Sequence, residues 1–174
     1  GNIFQPVVMA PGQGIFPLFQ WSDPVFSTTG TVGAQSDVDI LLFDEDGFFV
    51  TGSFAGNIGG DPVEGFQFSN NGPDTAVFFI SIQVFEGPKP ELMKYVDFIG
   101  SATIIGNVPT STSYGHANAA GAVGVGASAY FNTPAFGAPR PFLNGFSSLG
   151  GVPILYDPMG NRIEDDVREQ PKIV

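Results

Sequence analysis

The chain has 174 residues, a formal net charge of -11 and only six Lys and Arg. So few cations leave no basic patch for nucleic-acid phosphates, an anionic membrane surface would repel the chain, and no apolar run reaches the roughly 20 residues a bilayer-spanning helix needs. It has no cysteine and one histidine, His116, which excludes a disulfide scaffold, a thiolate metal site, a cysteine nucleophile and a multi-histidine metal site built from this chain alone.

Charged residues make up 13% of the sequence, about half the usual share; many secreted bacterial β proteins share this composition. The opening Gly1-Asn2-Ile3-Phe4-Gln5-Pro6 has neither the basic nor the apolar region of a signal peptide. We expect the chain to be an internal segment of a longer protein.

In chain order, Val7 and Val8 precede a Pro11-Gly12 turn, and Ile15 to Trp21 reads as a strand. Asp37 to Phe43 is the next, with Val38, Ile40 and Leu42 on one face and Asp37, Asp39 and Leu41 on the other. Asp44-Glu45-Asp46-Gly47 is a turn, because Gly accepts positive φ and Asp bonds back to nearby amides. Phe48 to Thr51 returns as the second arm of the hairpin. Phe66 and Phe68 mark a short strand, and Asn70 to Asp74 a turn. Thr75 to Phe85 alternates clearly, with Phe78, Ile80, Ile82 and Val84 toward the core. After a turn at Gly87-Pro88-Lys89-Pro90, Leu92 to Ile99 is expected to come back as its partner, and Ala102 to Ile105 to extend or follow it. No window in residues 1–105 has a helical period, so these residues read as a β-sandwich domain.

After about Gly106, phenylalanines thin out and Gly, Ala and Ser rise. Ala119 to Tyr130 has the alanine content of a helix, but its glycines and the Val123-Gly124-Val125-Gly126 alternation favour a strand. Small residues alternating with valines suit a middle strand that other backbone layers approach closely. The tail from Asn161 is charged and turns apolar at Ile173-Val174.

Three stretches of this second part resemble the subtilisin-like serine peptidase family. Ala120 to Ala127 resembles its "V-I-A-V-G-A" strand. Phe146-Ser147-Ser148 with Gly150-Gly151 resembles its "F-S-S-x-G" strand. Arg168 to Val174 resembles the "R-x-K-P-D-I-V-A-P-G" run toward the nucleophile loop, with Gln170 and Lys172 standing where the family often has Lys and Asp. Residues 130–136 and 153–162 resemble a subset of the family in which a β-sandwich is inserted in the catalytic domain. Trp21 to Pro24 and Ser36 to Asp44 look like the bacterial pre-peptidase C-terminal-like sandwich with its "D-x-D-L-x-L-x-D" pattern. The fold class implied is mainly β: a jelly-roll-like antiparallel β-sandwich over 1–105, then a partial subtilisin-type α/β segment with parallel strands over 106–174. The resemblance further implies a hydrolase acting on protein or peptide substrates outside the cell or at its surface, with the remainder of the catalytic domain as partner.

That family's chemistry needs an Asp, a His and a Ser with an oxyanion donor. Their D-T/S-G, H-G-T and G-T-S-M-A contexts are absent here. His116 precedes Ala117-Asn118, and Ser147 and Ser148 lie in the strand motif, so no catalytic residue is assigned and this segment alone is expected to be inactive. No cofactor is assigned either. Asp37, Asp39, Asp44, Glu45, Asp46 and Asp61 are the one group that suggests calcium, with turn formation as the simpler role. Glu164-Asp165-Asp166 reads as a solvated loop. Trp21 is either core or part of an aromatic platform, and Phe49 and Phe79 are the aromatics expected on the outer face. The competing reading is a free-standing extracellular module for carbohydrate or protein, calcium-stabilised if the acidic group binds.

Overall fold

The computed structural model describes residues 4–106 and 110–173, so residues 1–3 of the opening segment and Val174 of the tail motif lie outside the described residues. The chain is mainly β with antiparallel sheets. It divides into two compact units, Gly1–Asn107 with Tyr156–Arg162, and Val108–Leu155 with Ile163–Val174.

The first unit carries β1 (Phe4–Met9), β2 (Gly14–Ile15), β3 (Pro17–Trp21), β4 (Asp37–Phe43), β5 (Phe49–Ser53), β6 (Val63–Gly65), β7 (Phe68–Ser69), β8 (Ala76–Glu86), β9 (Met93–Asp97) and β10 (Thr103–Ile104). One sheet has the order β10-β1-β8-β4-β5, a second the order β6-β3-β9, and β2 pairs with β7. Alternation decides which residues go inside: Val38, Ile40 and Leu42 of β4 are fully buried, as are Val7 and Met9 of β1. They meet Phe19 and Trp21 of β3 in a single cluster with Phe78 and Ile80 of β8, so the two sheets share one core. The Tyr95 hydroxyl on β9 donates to Gln5 Oε1 on β1 across that core. Burial, with Asp97 adding to it, pushes the Tyr95 hydroxyl up to about 12.

The β4–β5 turn forms as read. Asp44 Oδ1 accepts from the amides of Asp46 and Phe48, and Gly47 sits at φ 82°. Two readings need correction. Residues 93–97 do not pair with β8, whose two edges are taken by β1 and β4; they cross to the other sheet and pair with β3, Phe19 opposite Tyr95. A single helical turn, α1 (Phe26–Thr29), closes on Gly30 at φ 71° and is too short to leave a period in the sequence.

In the second unit three 3-10 turns occur, at Gly115–Asn118, Tyr130–Asn132 and Pro134–Phe136. β11 (Pro153–Tyr156) and β12 (Arg162–Val167) pair as a two-stranded sheet, and the Tyr156–Arg162 tip between them groups with the first unit. Asp157 holds that tip by accepting from the amides of Met159 and Asn161 and from Asn161 Nδ2, bonds that pull its carboxyl below the ordinary range. Glu164-Asp165-Asp166 is strand, not loop. The stretch 119–128 is neither helix nor middle strand: it makes only isolated bridges, Val125 with Ile173 in parallel and Ser128 with Leu143 antiparallel. Val123 and Val125 are 58% and 66% exposed. Gly124 and Gly126, alternating with the valines, leave one face short of side chains to pack, which weakens a strand. Of the glycines in this run, Gly124 is closely approached, since a Cβ there would meet Gln170 Oε1 at 2.9 Å and the Ala117 carbonyl oxygen at 3.2 Å, while Gly121 has open space beside it; outside the run, a Cβ at Gly150 would meet the Gln170 carbonyl oxygen at 1.3 Å.

Candidate functional site

In the second unit, a cleft of about 320 Å³ is lined by Thr112, Tyr114, Gly124, Phe146, Ser147 and Ser148 among others. The Ser147 hydroxyl in it is committed to structure. Ser147 Oγ accepts from the Ala127 amide at 3.0 Å and donates to the Ala127 carbonyl at 3.3 Å. That places the serine as a bridge between two backbone segments, with no base beside it in its hydrogen bonds. Burial raises the Tyr114 hydroxyl. His116 stands exposed in the Gly115–Asn118 turn, where its carbonyl accepts from the Ala119 amide. Among the described residues, the hydrogen bonds of Ser147 include no base, which an activated nucleophile needs within reach.

The acidic residues of the first unit separate into individual roles. Asp44 makes the β4–β5 turn. Asp61 Oδ1 accepts from the Ser27 amide at the start of α1. Asp37 Oδ1 accepts from the Asn57 amide. Glu45 and Asp46 are exposed in the turn. Burial raises the Asp39 carboxyl, and Asp37 beside it adds to the effect. Among the described residues no group of three or more Asp, Glu or His side chains is gathered to hold a metal ion.

Two buried carboxylates were not singled out by the sequence. Asp23 Oδ2 accepts from Trp21 Nε1 at 3.1 Å and from the amides of Gln35 and Ser36. This fixes Trp21 inside the core, 5% exposed and tilted against Phe19, so the aromatic-platform reading of Trp21 is overturned. Glu64, on the short strand β6, is 4% exposed and bonded to Ser53 Oγ and the Ala55 amide. Burial raises its carboxyl most; Asp39 and Asp37 raise it further, while the Ala55 amide and Asn57 hold it down. A lone Glu in a three-residue strand leaves no pattern to read.

The open chemistry of the first unit lies on the outer side of the five-stranded sheet. Phe49 is 53% exposed and Phe79 half-buried, both on that side as expected. They belong to a longer series: Phe79 meets Phe4 at 6.2 Å, Phe4 meets Phe43 at 5.7 Å, Phe43 meets Phe49 at 6.1 Å and Phe49 meets Phe54 at 6.2 Å, every contact edge-to-face. Such pairs are each worth about 0.5–1.5 kcal/mol beyond burial and hold the rings in fixed orientations. Ser81, opposite Phe4 and Leu41 in register, is small enough to let the Phe4 ring reach over β8 to Phe43. The clue to the whole series was in the alternation, since Phe43 and Phe79 both fall on the face opposite the buried set; Phe54, outside any strand, gave none.

The chain matches no known family, no curated protein and no solved structure.

Proposed function

We propose that this chain is a non-catalytic portion of a secreted subtilisin-like serine endopeptidase. In this reading residues 1–105 are the jelly-roll-like, pre-peptidase C-terminal-like β-sandwich inserted in the catalytic domain, and residues 106–174 are part of that domain. The observation that carries it is the orientation of two backbone segments. Lys172 N–H donates to the Gly124 carbonyl and Gly126 N–H to the Ile173 carbonyl, a parallel pairing. A catalytic domain built on parallel strands needs that orientation between the glycine–valine run and the run leading toward the nucleophile; an all-antiparallel module does not. The bonds from Ser147 to Ala127 support the F-S-S segment as the neighbour on the other side.

The parent enzyme would hydrolyse peptide bonds by acyl transfer, with Asp, His and Ser supplied from outside residues 1–174. This chain would contribute no reacting group and no cofactor. Its sandwich would serve substrate docking, access or stability at an extracellular or cell-surface location. The coding sequence on either side of the chain tests the proposal: the expected result is D-T/S-G, H-G-T and G-T-S-M-A motifs in the flanks, and flanks without them overturn it. A fluorophosphonate probe should leave the isolated chain unlabelled.

A second reading, a free-standing binding module, is favoured by the exposed phenylalanine series, which a module would present to its ligand.

A further inference from the structure

We infer that the outer face of the five-stranded sheet is a docking surface for a cationic, amphipathic polypeptide segment. The inference deepens the docking role proposed above and does not need the peptidase assignment. Phe4, Phe49 and Phe54 are 38%, 53% and 63% exposed; at about 200 Å² per aromatic side chain these three alone present roughly 300 Å² of ring to water. That reaches the lower end of the range, about 300–600 Å², in which the largest apolar patch of a monomer is often functional.

Charge identifies the occupant. None of the five strands of this sheet contains a Lys or Arg. The Asp44-Glu45-Asp46 turn stands directly between Phe43 and Phe49 at the end of the β4–β5 hairpin. The surface therefore joins aromatic faces, which attract cations through their quadrupoles, to an acidic rim with no cation on the sheet to neutralise it. A second copy of this chain fits poorly, because it would bring the same acids and another -11 charges to the contact. A partner with alternating apolar and basic side chains satisfies both halves: its apolar residues lie on the rings and its Lys or Arg reach the rim.

The test uses the full 174-residue chain and a fluorescein-labelled 14-residue peptide of alternating Leu and Lys, read by anisotropy. Saturable binding is expected, weakening about tenfold for F49S/F54S, two exposed positions whose change leaves the core intact. E45Q/D46N should weaken binding several-fold and flatten its dependence on salt. F98S, an exposed phenylalanine away from this sheet, should bind like the parent. Equal affinity of F49S/F54S and the parent chain, or equal binding of a Leu–Glu peptide, overturns the inference. So does self-association that F49S/F54S abolishes in a chain that ignores the Leu–Lys peptide, since the occupant would then be a second copy. Flanking sequence without the triad motifs would remove the peptidase reading and leave this result standing.

Discussion

Replacing Asp23 by alanine tests how the core of the first unit is held in register. All three bonds to this carboxylate converge on Oδ2, at 3.1 Å from Trp21 Nε1, 3.2 Å from the Gln35 amide and 2.9 Å from the Ser36 amide. Gln35 is exposed, so water can replace its partner; Trp21 and Ser36 are 5% and 0% exposed, so their donors would be orphaned. An unsatisfied buried donor costs about 1–3 kcal/mol, which places the loss for two at about 4 kcal/mol. Removing one negative charge from a chain at -11 works the other way, but charges interacting through water gain about 1 kcal/mol at most. A net destabilisation of about 3 kcal/mol is expected for Asp23→Ala. Asp23→Asn, which keeps an acceptor in place, should cost about 1–2 kcal/mol. Trp21 is the one tryptophan of the chain, so its fluorescence during urea unfolding reports on this unit alone, and a shifted midpoint at constant slope gives the difference. A loss under 1 kcal/mol for the alanine variant, or equal losses for both, would refute the argument.

Acidification should stabilise the first unit. Asp39 and Glu64 have carboxyls raised in the folded state, so the folded chain binds protons more tightly, and stability falls as pH rises from the ordinary carboxylate values through the raised ones. The melting temperature should climb as pH is lowered toward the ordinary carboxylate range of about 4, until protonation of Asp157, whose carboxyl is lowered, acts the other way, and Glu64→Gln should flatten that climb; an unchanged slope would sink the assignment to Glu64. Phe19→Ala, at a fully buried site, should cost about 3–5 kcal/mol, whereas Phe54→Ala on the outer face should cost under about 1 kcal/mol; comparable urea midpoints would show the inner and outer faces to be misassigned. Gly150→Ala forces a Cβ onto the Gln170 carbonyl and should speed amide exchange at Gly126 and Lys172, whose bonds tie residues 172–173, next to Gln170, to residues 124–126; unaltered exchange by mass spectrometry would contradict that contact.

The strands of the first unit were legible wherever a period of two was backed by burial on one side. β4 ends where it was read to end, and β8 lies within one residue of its reading, because both are central and their inner faces are apolar without interruption. Pairing was not legible in the same way. A strand after a turn defaults to its sequence neighbour, and only the occupation of both β8 edges, by residues 4–9 and 37–43, sends β9 elsewhere; that is a property of the whole sheet. The second unit was harder for a different reason. Its glycines permit close backbone approach but supply no side chains, so the alternation that reads as a middle strand produces exposed valines and isolated bridges. At the site, turn aspartates such as Asp44 were legible from local chemistry, while Asp23 and Glu64 take their roles from donors that only the fold brings to them.

β9 and β10 occupy residues 93–104, yet their partners β3 and β1 lie within residues 4–21. A nascent chain leaving the ribosome would therefore carry both outer ribbons bare until nearly the whole unit had emerged. Closure over such long loops is slow, and unpaired strand edges invite stray pairing in the interval. Synthesis halted before Met93 would release a polypeptide with neither sheet finished, a substrate for chaperones rather than a smaller version of the domain.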